Sequence, residues 1–473
     1  MNRQFIILLT FSFISINLFS QTVTDKKLAT LSNLNTLYDE SKSNTKKGTF
    51  DFKGVTNLFI MIDAGMEITL TGSDTESLTY EYEFEGNEEA YNHFFENFDP
   101  EFIDNGGEAR LVIDFPKQTG KRVNHKTETH SLQISLPEDV VVQLQTRYSK
   151  VKASDFVQGI SITNRSGRVS IQNSKQVVSV NNEYGDVVLI GIEGEIMVSN
   201  RSATVDVRDI SGNVSMSTEY SKMNISKIEG TVDISNRSGT LNAFDITGDM
   251  RLSGAYMKYE LTNIDGDIMM SNKSGNVILD GSHSFSLSGE YTHVEASNIS
   301  GVKGVEISGK SATITLKNIS EDTFIDGQYL KIDLQKIGGK ARINNKSAAI
   351  QIDDLAEDLT IEGEYMPVTV KNFKGANLQI VNRSNNISVE ALNDLKFLMI
   401  ESEYGNVNLN LKKKYSGFIE VETRYGTFDS SLSIDSQQIS KSDNELIISG
   451  KVGNGDGRMI IKTRNADVKV NQD

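Results

Sequence analysis

Apolar and polar residues alternate along this chain in short bursts, and from residue 144 to residue 428 the bursts recur about every 18 residues. Val178 and Val180 share one parity, whereas Val187 and Leu189, beyond Gly185, share the other. A two-residue period predicts a strand, and a change of face at a glycine predicts a corner. The corners alternate between two versions, one reading like Asn164-Arg165-Ser166-Gly167 and the other like Asn182-Glu183-Tyr184-Gly185. Four residues before every anchoring Ser or Tyr the position is apolar, from Leu144, Ile162 and Val180 through to Val421. Three residues after it a second apolar column runs from Val151 to Phe428, with Tyr259 its one member bearing a polar atom. A third apolar position follows in many repeats, as at Ile192, Ile210 and Ile228, often with glycine two further on (Gly194, Gly212, Gly230).

Units this short cannot bury a core alone and rely on stacked neighbours. The pattern therefore predicts an all-β fold, a single-stranded parallel β-solenoid of about 18 residues per coil with two short strands and a looser third side. Sixteen such coils at ~4.8 Å each make a rod on the order of 75 Å long, and the crossover preference of parallel strands favours right-handed winding.

The residue before each anchor distinguishes an 18-residue coil from a 36-residue one. Arg165, Glu183, Arg201, Glu219 and Arg237 alternate in sign. With the shorter coil they form one ladder of opposite neighbours; with the longer coil, two columns of like charge. The shorter coil is favoured, and the ladder would fix register more than it stabilises. The anchors Tyr148, Tyr184, Tyr220, Tyr256, Tyr291, Tyr329, Tyr365 and Tyr404 alternate with serines. Alternating bulk is expected to fill the solenoid, each ring over its small neighbours. The other reading is a row of exposed rings able to stack on sugars or grip a partner.

The ends depart from the repeat. Residues 1–20 read as a signal peptide, with Arg3, an apolar run from Phe5 to Phe19 and a cut before Gln21. Residues 21–48 read as an amphipathic helix (Leu28, Leu31, Leu34, Leu37) and linker. Residues 49–145 read as irregular first coils, with alternation at Phe59, Met61, Ile68, Leu70, Tyr80, Tyr82 and Phe84, interrupted by an insertion over 88–130. That insertion pairs an acidic aromatic stretch (Tyr91, Phe94, Phe95, Phe98, Phe102) with a basic one (Lys121, Arg122, His125, Lys126). It is expected to cover the open end of the solenoid, and it doubles as the candidate recognition surface. Regular repeats occupy 146–428, and closing strands 429–473.

Composition narrows the function. Cysteine is absent, which removes disulfides, thiolate chemistry and a lipid-bearing cysteine. A net charge of −16 argues against a nucleic-acid partner. Beyond the leader no run is long and apolar enough to span a bilayer. The five histidines do not recur with the repeat, no nucleophile elbow or dinucleotide fingerprint occurs, and no cofactor or metal is expected. Polysaccharide-cleaving β-helices need carboxylates that break the repeat, whereas here the charged column is the repeat. Asn164-Arg165-Ser166 and its copies match a glycosylation acceptor but read as corner residues, since Asn tolerates left-handed backbone and glycine replaces it at Gly254, Gly309, Gly327 and Gly363.

The run Leu132-Gln133-Ile134-Ser135-Leu136-Pro137, followed by strands with Gly or Ser corners, resembles the bacterial adhesin-like family of β-strand repeat proteins, domains largely of unknown function. Asn57 to Ser73, folded around Asp63-Ala64-Gly65, is similar to that family's opening coils. The resemblance covers most of residues 50–470 and departs at the Arg-Ser/Glu-Tyr alternation and the insertion after Glu88. It implies an exported, non-catalytic β-solenoid and transfers no binding residue. The expected function is an adhesin-like binding or scaffold protein of the bacterial envelope, periplasmic or at the cell surface, with a protein or polysaccharide partner. The alternatives are a carbohydrate-active enzyme on the same architecture and an envelope regulator docking through residues 88–130.

Overall fold

A computed structural model of the chain describes residues 41–117, 127–393 and 395–472. The expected leader and leucine-spaced helix lie outside the described residues up to position 40, as do Lys121, Arg122, His125 and Lys126. Residues 42–48, expected as linker, belong instead to a strand.

The fold is a parallel β-solenoid of about 15 turns with about 18 residues per coil. One turn shows how the sequence builds it. Along the strand Ile196–Ser211, Ile196, Val198 and Asn200 point inward, the chain turns at Ser202, and Val205 and Val207 point inward from the second side. A second corner at Asp209 turns Ile210 inward, and a third at Gly212 leads to the next turn. Register is one coil per rung: Val198 lies beside Met216, Ser202 beside Tyr220 and Val205 beside Met223. Every member of the first apolar column is buried, and so is every member of the second except half-buried Phe428. Each such aliphatic chain contributes about 1.5–3 kcal/mol on burial.

The corners differ in what they demand. At the second corner Asp209, Lys227, Asp245 and Asn263 all adopt positive φ near 55°. Asp and Asn tolerate that backbone, and Asn263 Nδ2 donates to Asp245 Oδ1 on the rung below at 3.1 Å. At the third corner Gly194, Gly212 and Gly230 sit at φ of 154–157°, and a Cβ at Gly212 would lie 2.1 Å from the Gly194 carbonyl oxygen. A side chain at Gly212 would be strained by that backbone and would strike the rung below, which glycine avoids.

The ends do not stack in chain order. Among the described residues nine strands build the first end: β1 (Lys42–Asp51), β2 (Asn57–Ile62), β3 (Glu67–Ser73), β4 (Ser77–Gly86), β5 (Glu101–Asp104), β6 (Glu108–Ile113), β7 (Thr127–Pro137), β8 (Val141–Thr146) and β9 (Lys150–Ser154). β2 lies between β6 and β8, and β3 between β7 and β9, all parallel. The coil over 57–73 is thus enclosed by two coils that follow it in sequence. β5 then pairs antiparallel with β6, β4 with β7 and β1 with β4, closing the edge. In β2 the inward residues are Leu58, Ile60 and Ile62; Phe59 and Met61, read as the apolar parity, lie half-buried on the outer face.

The opposite end repeats the device. Gly457–Arg464 lies between Phe397–Tyr404 and Gly417–Arg424, parallel to both, and Val468–Gln472 lies between Val407–Leu411 and Phe428–Ser430. Glu445–Val452 and Asp435–Lys441 then close that edge as antiparallel strands. Tyr425 therefore does not stand on the rung after Tyr404, as the spacing implied; the rung of Asn465 intervenes.

Candidate functional site

The corner at the Ser/Tyr anchor is built on asparagine from inside. Asn164, Asn182, Asn200, Asn236, Asn272, Asn345 and Asn382 share the inward parity of the aliphatic residues two positions earlier and are buried. Their amides tie down carbonyls of the corner: Asn200 Nδ2 donates to Gly185 O at 2.8 Å, and Asn345 Nδ2 to Leu330 O and Ser347 O, both at 2.8 Å. They are not left-handed residues, and burial removes them from any glycosylating enzyme. Glycine replaces them for reasons of volume. A Cβ at Gly327 would meet Leu330 at 2.4 Å, one at Gly363 would meet Met366 at 2.5 Å, and one at Gly254 would meet Tyr259 Oη at 2.5 Å. Where the inward space is filled by a bulky neighbour, no asparagine fits.

The anchor itself turns outward. Tyr148, Tyr184, Tyr220, Tyr256, Tyr291, Tyr329, Tyr365 and Tyr404 are between 43% and 60% exposed, so the rings do not fill the solenoid as the alternation of bulk suggested. The reason is the corner: it rotates the anchor off the inward face, and the interior beneath is already occupied by asparagine or by the residue after the anchor. The register is as expected, Tyr184 lying between Ser166 and Ser202. The rings therefore form an external row about 9.6 Å apart on every second rung.

The charge ladder resolves into pairs. Arg165 meets Glu183 at 3.8 Å, Arg201 meets Glu219 at 3.5 Å and Arg383 meets Glu403 at 3.4 Å. Each of the first two arginines also covers the tyrosine one rung back, Arg165 at 5.8 Å from the Tyr148 ring and Arg201 at 5.8 Å from that of Tyr184, whose Oη accepts from Arg201 at 2.9 Å. Arg237 lies 5.9 Å over Tyr220. Glu183 thus pairs with Arg165 rather than bridging two arginines.

The aromatic insertion is largely consumed by packing. Its helical part, Glu88–Ala90 continuing as Tyr91–Phe95, lies against β4. Phe95 and Phe98 are buried, and Tyr91, Phe94 and Phe102 half-buried. Phe98 stacks on Tyr82 with centroids 3.9 Å apart, and Phe102 on Phe50 at 4.8 Å. His130 stands among Tyr82, Phe84, Phe94 and Phe115, and burial pushes its imidazole down to about 4. Within the segment read as an insertion, residues 108–113 belong to β6 and residues 127–130 to β7.

Among the described residues no group of His, Asp or Glu is placed to hold a metal ion, and no helix is long and apolar enough to cross a membrane. A family model described as Toastrack DUF4097 matches residues 55–304 and 271–471. No curated protein matches. Three solved structures share similarity at low identity. A candidate cell adhesion protein from Clostridium sporogenes is 8% identical over 92% of this chain and 100% of its own, with a TM-score of 0.17. A candidate adhesin from Parabacteroides merdae is 16% identical over 64% and 96%, at 0.19. A candidate lipid binding protein from Parabacteroides distasonis is 13% identical over 78% and 97%, at 0.18.

Proposed function

This chain belongs to the Toastrack family, and from that premise we propose that it is an exported, non-catalytic, adhesin-like scaffold of the bacterial envelope that holds an extended polymer along its corner column. The supporting observation is the external row of tyrosines on a scaffold whose every rung is fixed by its neighbours. A rigid, repeating row of amphipathic rings needs little ordering on binding, and repetition turns individually weak contacts into avidity. The aromatic insertion, turned into the cap, offers less surface for a docking regulator.

Replacing all eight tyrosines by serine, the residue of the alternate rungs, tests the reading through co-sedimentation with isolated envelope polysaccharide. Retention should fall roughly ten-fold while the circular dichroism spectrum stays unchanged, because the rings are exposed. Equal retention would remove the column as the binding surface. Shortened oligosaccharides appearing on incubation would overturn the non-catalytic assignment.

A further inference from the structure

The corner column changes character part-way along the rod. Toward the first end, arginines cover the rings of Tyr148, Tyr184 and Tyr220. In the middle rungs the basic residues are Lys273, Lys310 and Lys346. Among the described residues these three form no ion pair with Glu290 or Glu364, and no cation lies over Tyr291 or Tyr329. Ammonium heads and ring faces are left open here, whereas Tyr148 and Tyr184 lie under arginines that also hold a ladder glutamate.

The same rungs carry a groove of about 910 Å³. Its floor is the backbone of Gly289, Gly309 and Gly327 on successive rungs, and its walls include Lys273, Glu290, Lys310, Gln328, Lys346 and Glu364. From Gly254 to Gly363 it spans six rung steps, about 29 Å. Tyr291 and Tyr329 stand at the corner directly after Glu290 and Gln328.

We propose that this groove is the binding site for an extended, neutral, hydroxyl-rich glycan, a refinement that rests on the column being a binding surface. Charge disfavours a long polyanion, because Glu290 and Glu364 interrupt the lysines and the wall builds no single-sign field. Topology excludes a peptide added as a strand: the floor strands already pair with a rung on each side and present a face, not an open edge. Unpaired ammonium, carboxylate and amide heads donate to and accept from hydroxyls, while open tyrosine faces stack on the apolar faces of sugar rings. Lysines two rungs apart recur at about 9.6 Å, a length of the order of one disaccharide in an extended chain.

Isothermal titration with chito-oligosaccharides from disaccharide to hexasaccharide tests this. Affinity should rise with length until the groove is filled. Tyr291→Ser combined with Tyr329→Ser should weaken hexasaccharide binding about ten-fold, and the same change at Tyr148 and Tyr184, whose rings arginine already covers, should cost less. Lys346→Arg should weaken binding several-fold with the fold intact, since a guanidinium there would lie over Tyr329 as Arg201 lies over Tyr184. Failure of every oligosaccharide to bind at millimolar concentration would overturn the groove while leaving envelope polysaccharide retention, and so the column, standing. Equal losses from the two tyrosine pairs would overturn its location, and tighter binding of heparin than of the hexasaccharide would overturn the neutral class.

Discussion

Asn345 carries more of the corner than its short side chain suggests. It is fully buried, donates to two carbonyls and accepts from Leu330 N at 3.1 Å. Asn345→Ala would strip partners from buried backbone groups and should cost about 1–3 kcal/mol. Glu219→Gln, which removes an exposed ladder charge, should cost under about 1 kcal/mol. Urea midpoints of the two variants separate the cases, and a larger loss at Glu219 would mean the ladder, not the inner amide, sets stability. Residue type reads these asparagines as left-handed corner residues, whereas the parity that Asn164 shares with Ile160 and Ile162 is what decides their inward face. The outward turn of the tyrosines was not legible, because parity does not carry through a corner.

At the scale of elements, the helix, β4 and β7 form a cap whose aromatic interior keeps His130 neutral. Its folded value, about 4, lies below the ordinary 6.5, so between those values the unfolded chain binds a proton that the folded chain does not. Stability is then full above about pH 6.5 and falls as pH drops toward 4. His130→Phe should flatten this decline in melting temperature between pH 7 and pH 4 relative to the native protein. Parallel curves would show that the imidazole plays no part. The two-strand coil was legible from period and parity shifts, since each depends on near neighbours in sequence. The end strands were not, because β2 meets β6 across residues 57 to 113 and nothing local marks which later strand will lie beside it.

Across the whole molecule one continuous core runs from Phe52 to Val470, and each rung is held by the rungs on either side. The period alone disclosed that rod. It did not disclose that residues 457–472 wedge between two earlier coils. Truncation after Asp456 should therefore release residues 412–452 as a unit while the rungs before Leu411 stay folded, and limited proteolysis should cut first just beyond Leu411. Protection through Val452 in the shortened protein would show that the outer coil holds on its antiparallel strands alone.

That wedge also sets a timetable. During synthesis each regular turn can settle on its predecessor as soon as its own residues have emerged, but residues 417–430 have no seat until 457–472 arrive. The rod is thus finished from the inside, its penultimate layer laid last. Whatever delays those sixteen residues leaves a sticky slot at the growing tip of an otherwise mature molecule.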